Sequence, residues 1–131
     1  MLDFMPQVSM INGMEGIVKQ TIDPRIAHPV VGKFFVGELV WHVKQNYRGV
    51  VFDVDPMFML TDEWYDKVAV SHPPKDQPWY HVLVHGGTQQ TYVAERHLHS
   101  AADADPIDHP ALDQVFSEFA KGRYWPLQTI N

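Results

Sequence analysis

Four short segments of this chain alternate their side chains with a period of two, and turn-forming residues separate them. Residues 36–43 set Glu38, Val40 and His42 against Leu39, Trp41 and Val43. Residues 49–55 set Val50, Phe52 and Val54 against Val51, Asp53 and Asp55. Residues 79–85 set Tyr80, Val82 and Val84 against His81 and His85, and residues 90–95 follow closely. A period of two sends alternate side chains to opposite faces of a strand. The first set of the third segment, and Val50 and Phe52, are expected inside; His81, His85 and Asp53 are expected outside. Gln45-Asn46-Tyr47-Arg48-Gly49 reads as a tight connection, so the first two strands form a hairpin. Gly86-Gly87 closes a second hairpin, because glycine accepts the positive φ of such turns. Short antiparallel strands around one long connection predict a mainly β fold, a small barrel.

The remaining chain divides around this core. Residues 1–32 are interrupted by Pro6, Pro24 and Pro29 and read as a poorly ordered N-terminal extension. Residues 33–100 are the β domain, with residues 56–78 as a long irregular loop. Residues 101–131 are a polar linker and a helical tail. Asp108 is placed to cap that helix, Pro110 sits in its first turn, and Gly122 stops it. Ala111, Leu112, Val115, Phe116 and Phe119 fall at helical spacing, a stripe suited to docking on the barrel or a neighbouring subunit. A homo-oligomer is therefore expected.

Composition excludes several classes. The 131 residues contain no cysteine, which removes disulfides, thiolate catalysis and cysteine-type zinc sites. No apolar run approaches the ~20 residues that span a bilayer, and the first residues lack a secretory pattern; a cytoplasmic protein is expected. The net charge is −6. Within 33–100, six Lys and Arg face eight Asp and Glu, so no basic stripe exists to neutralise phosphates. Lys44, Arg48 and Arg96 are the candidates for a local DNA-contacting patch.

Catalytic and metal chemistry find little support in the pattern. Asp53 and Asp55 share a strand face, but Asp55-Pro56 reads as the start of a solvent-facing turn. His81 and His85 are four apart, a spacing that converges on a helix and diverges by roughly 13 Å on a strand. His97 and His99 could share a face, with no third ligand fixed beside them. The serines lie in no nucleophile-elbow context. Neither a catalytic set, a metal site nor a cofactor is expected. The remaining signal is aromatic: Trp64, Trp79, Tyr80 and Tyr92, with His81, are candidates for a partner-binding surface, since Trp and Tyr concentrate at interface hot spots.

The runs Val36-Gly37-Glu38-Leu39-Val40-Trp41-His42-Val43, Tyr47-Arg48-Gly49-Val50-Val51-Phe52-Asp53-Val54-Asp55-Pro56, Gln77-Pro78-Trp79-Tyr80-His81-Val82-Leu83-Val84 and Thr91-Tyr92-Val93-Ala94-Glu95-Arg96-His97-Leu98 occur in this order. Together they resemble the YccV-like, or hemimethylated-DNA-binding, family, whose bacterial members include the heat-shock protein HspQ. The resemblance covers roughly residues 33 to 100. It implies an SH3-like barrel, with Gly37 and Gly49 serving turns. It also implies an HspQ-like stress protein, not an enzyme, that promotes degradation of denatured proteins with a Lon-type protease. The alternative it implies is binding of hemimethylated DNA in replication control.

Overall fold

The computed structural model describes residues 32–101 and 104–127; the expected extension over 1–32 lies, apart from Gly32, outside the described residues. Strands β1 (Leu39–His42) and β2 (Tyr47–Asp55) form the first hairpin, whose turn ends on Asn46 at a φ of 58°. After the loop come β3 (Trp79–Val84) and β4 (Gln90–Ala94), then a 3₁₀ turn (Glu95–His97) and β5 (Leu98–Ser100). These strands form one antiparallel sheet in the order β4-β3-β2-β1-β5. All four alternating segments are strands. No ladder joins β4 to β5, so the sheet does not close into the expected barrel. It nevertheless curls, because all five strands contribute to one apolar cluster: Val40, Val51, Tyr80, Val82, Val93 and Leu98, with Phe34.

The opposite face is covered as well, by two separate pieces of chain. Over Leu39, Val50 and Leu83 pack Ile107, Ala111, Phe116 and Tyr124 from the C-terminal segment. Over Trp79 and Tyr92 pack Phe58, Leu60, Tyr65 and Ala69. Every residue of β3 is consequently buried, His81 included. The expectation of an outward His81 fails for this reason: alternation assigns faces, but here both faces are covered. His85 is exposed as expected, whereas Phe52 is only half-buried. Phe52 is the extra residue of a β-bulge, since Val51 pairs with Val82 and Asp53 with His81.

Two expected connections differ. The loop over 56–78 contains helix α1 (Asp62–Val68), whose first turn is capped by the Thr61 hydroxyl accepting the Trp64 N–H at 3.1 Å. The C-terminal helix is instead one turn, α2 (Leu112–Val115), followed by the hairpin β6 (Phe116–Ala120) and β7 (Arg123–Pro126). Lys121 and Gly122 both take positive φ, 58° and 78°, the backbone of a two-residue hairpin turn. Gly122 therefore turns a hairpin where the spacing predicted a helix stop. Phe119 and Phe116 pack their rings on Tyr124, at 4.8 and 5.3 Å between centroids. Cross-strand aromatic contacts outweigh the helical spacing of the same residues.

Two glycines hold these layers together. Gly37 has a φ of +99°, and a Cβ there would lie 2.0 Å from the Tyr124 carbonyl oxygen. Gly37 thus serves the close approach of β7 to the chain ahead of β1. Gly49 lies inside β2 rather than in the expected turn, where a Cβ would meet the Leu83 carbonyl oxygen at 2.4 Å. Among the described residues, no helix is long and apolar enough to cross a membrane.

Candidate functional site

The twice-covered face of the sheet is sealed at one end and open at the other. At the sealed end lie four of the five aromatic and histidine candidates for a partner surface, or their immediate neighbours. Trp79 and Tyr92 stack at 5.1 Å and are wholly buried. The Trp79 indole N–H donates to the Pro74 carbonyl at 3.0 Å, so loop residues beside Pro78 hold the ring inward. Tyr80 is buried on the other face, where its hydroxyl donates to Glu95 at 2.6 Å and accepts from the Phe34 N–H. The same Glu95 oxygen accepts the Lys33 N–H, which ties down the entry to the domain. Burial, followed by the Glu95 hydrogen bond, raises the Tyr80 hydroxyl pKa. Trp79, His81 and Tyr92 thus serve the interior beneath α1 and its flanking loops, and Tyr80 serves the core on the opposite face. Trp64 alone of the five keeps partial exposure; it packs on Trp79, Tyr92 and Phe58.

A polar cluster is buried with these rings. The Tyr92 hydroxyl donates to Asp55 Oδ2 at 2.8 Å and accepts the Met59 N–H at 3.0 Å. His81 Nε2 lies 3.3 Å from the same Asp55 oxygen. Asp55 is 3% exposed, contrary to the solvent-facing turn its sequence suggests. Asp53, directly opposite His81, is half-buried and completes the group. Burial first, and the Asp55 charge second, raise the Tyr92 pKa, so this phenol is a fixed donor. The sequence signal for this cluster was the shared face of Asp53 and Asp55; what it lacked was the β3 register that sets His81 beside them.

The open end is built on β1. Trp41 lies between two cross-strand partners, Arg48 on β2 and His99 on β5. Trp41 is 37% exposed and Val43, two residues on, is 42% exposed. The Arg48 guanidinium donates to the Asp105 and Pro106 carbonyls, which anchors the C-terminal segment beside Trp41. Arg96 donates to the Ser71 carbonyl at 3.0 Å, while Lys44 sits exposed in the β1–β2 turn. Lys44 and Arg96 flank the same strand ends, where the Val43 N–H bonds to the His97 carbonyl. Arg48 and Arg96 are thus engaged with backbone carbonyls. The histidine pairs do not converge. His85 Nδ1 accepts the Asp108 N–H, and His97 is buried while His99 is exposed.

The described residues thus form a curled antiparallel sheet with a sealed aromatic end and a partly exposed Trp41 on β1. The family described as hemimethylated DNA-binding protein YccV like matches residues 32–123, and the chain belongs to this family. The match runs through β6, so it takes in Ile107, Ala111 and Phe116 of the C-terminal cover but ends before Tyr124. No solved structure matches the chain.

Proposed function

We propose that this domain is a non-catalytic adaptor that presents denatured proteins to a Lon-type protease, in the manner of HspQ-like members of its family. The observation that carries this reading is the exposed pair Trp41, on β1, and Val43, just past its end, at the open end of an otherwise doubly covered sheet. A partly exposed Trp beside an aliphatic side chain offers the aromatic anchor that interface hot spots favour. Unfolded chains expose the apolar groups such an anchor binds. The negative charge of the domain suits contacts that do not depend on phosphate neutralisation. The test is a degradation assay with a heat-denatured client and purified Lon-type protease. Adding this protein should raise the degradation rate, and Trp41→Ala should remove the increase while leaving protease activity on a small peptide unchanged. An unchanged degradation rate with the wild-type protein would contradict the adaptor role.

The family description favours a second reading, binding of hemimethylated duplex DNA. Lys44 and Arg96 are the candidate contacts that remain exposed, Arg96 with its guanidinium bonded to the Ser71 carbonyl. On this reading affinity falls steeply with salt and with Lys44→Ala. The adaptor reading expects binding weaker than about micromolar at physiological salt, where non-specific contacts are already weak. Tight, methylation-dependent binding under those conditions would promote the DNA role.

A further inference from the structure

We infer that Asp53, Asp55 and His81 form a binding site for a divalent transition metal ion of the zinc type. One ligand atom from each lies within 4.8 Å of the other two. Asp53 and His81 face each other across the β2–β3 ladder, and Asp55 lies two residues along the same strand.

Three features separate this cluster from an ordinary buried hydrogen bond. The first is spacing. A charge-assisted bond between imidazole and carboxylate closes to about 2.7–2.9 Å, whereas His81 Nε2 and Asp55 Oδ2 stand 3.3 Å apart. Zinc bonds of about 2.0–2.1 Å place neighbouring donors about 3.3–3.4 Å apart at tetrahedral corners. This pair has the separation of two ligands of one small ion, and the three ligand atoms, now within 4.8 Å of one another, would draw closer on binding it. The second is support around the ligands. Tyr92 donates to the Asp55 oxygen, and the Tyr92 and Phe52 rings bracket His81 at 4.5 and 5.7 Å. Such outer contacts orient ligands and fix their rotamers. The third is access. Asp55 and His81 are buried, but Asp53 is half-exposed and gives an ion a route from solvent.

The donor set selects the class of ion. An imidazole nitrogen favours zinc and its transition-metal neighbours over Mg²⁺ and Ca²⁺, which take oxygen ligands. Three protein ligands leave the fourth position to water on the Asp53 side. The site lies in the seam between the two pieces of chain that cover this face, since Leu83 packs under one and Trp79 under the other. An ion there cross-links β2 to β3 at the bulge and neutralises both carboxylates.

The experiment titrates Zn²⁺ into the full chain after EDTA treatment and dialysis, with Mg²⁺ in parallel. Calorimetry should give one Zn²⁺ per chain, no comparable Mg²⁺ binding, and a higher melting temperature with Zn²⁺. Asp53→Asn, at a half-exposed position, should weaken Zn²⁺ binding at least tenfold and leave the metal-free melting temperature unchanged. Nitrogen-15 spectra of the histidine rings provide a reading that needs no variant. Zn²⁺ should shift the ring nitrogens of His81 most. Shifts confined to the exposed His72, His85 or His99, equal affinity in Asp53→Asn, or no Zn²⁺ binding would each overturn the site.

Discussion

Trp79 and Trp41 lie on the same face of the same sheet and have opposite fates. Trp79 is enclosed by Phe58, Tyr65, Trp64 and Tyr92, and its indole N–H is bonded to the Pro74 carbonyl. Trp41 is flanked across the ladders by Arg48 and His99 and keeps 37% of its surface exposed. The difference is not made by the strands. It is made by the chain laid over them: residues 56–78 enclose Trp79, whereas the C-terminal segment, anchored beside Trp41 through Arg48, leaves the Trp41 ring partly exposed. An aromatic residue in a prominent motif is thus no guide to a binding surface until the covering segments are known.

The comparison can be broken first by removing the enclosed ring. Trp79→Ala should cost about 3–5 kcal/mol of folding stability, the usual toll for truncating a buried Trp, read by chemical denaturation. A loss as small as that of a surface change would show that the sealed end is not packed as described. The next largest effect tests the C-terminal cover. Gly37→Ala combines a strained positive φ with a Cβ 2.0 Å from the Tyr124 carbonyl oxygen. It should destabilise by about 3 kcal/mol and expose the Tyr124 ring to solvent, visible in its fluorescence or exchange behaviour.

A smaller effect concerns how that cover is fastened. His109 Nε2 donates to the Gln89 carbonyl and its Nδ1 accepts the Ala111 N–H, so the neutral ring joins the C-terminal segment to the β3–β4 loop. Burial lowers its pKa. The folded protein therefore binds fewer protons here than the unfolded chain, whose histidine titrates near about 6.5. The stabilisation is complete above that pH and is lost as pH falls below it. Melting curves from about pH 7.5 down to about 5.5 should show this slope, and His109→Gln should flatten it. The smallest stability effect belongs to Trp41→Ala, about 1 kcal/mol, as for an ordinary partly exposed position.

These contrasts also mark what the sequence could convey. Alternation over residues 36–43, 49–55, 79–85 and 90–95 located four of the five strands of the main sheet, because period two is set locally by the backbone; the three-residue β5 is too short to show it. Face assignment succeeded for Tyr80 and Val82 but failed for His81 and Asp55. Alternation distinguishes two faces and is silent on whether the second is also covered. The covers come from residues 56–78 and 104–127, which carry no alternation that shows where they fold back. The hairpin at Phe116–Pro126 was hidden by helical spacing of its apolar residues, although Lys121-Gly122 was a readable turn. Helix α1 was readable too, from Thr61 as a cap ahead of Asp62 and Glu63. The exposure of Trp41 had no local signal, because it depends on where distant cover ends.

The most direct test of the account measures binding of a heat-denatured client to wild-type protein and to Trp41→Ala, each with its melting temperature determined in the same buffer. Trp41→Ala should lose about 2 kcal/mol in affinity, roughly thirtyfold, with a melting temperature close to wild type. Undiminished client binding by a folded Trp41→Ala protein would contradict it.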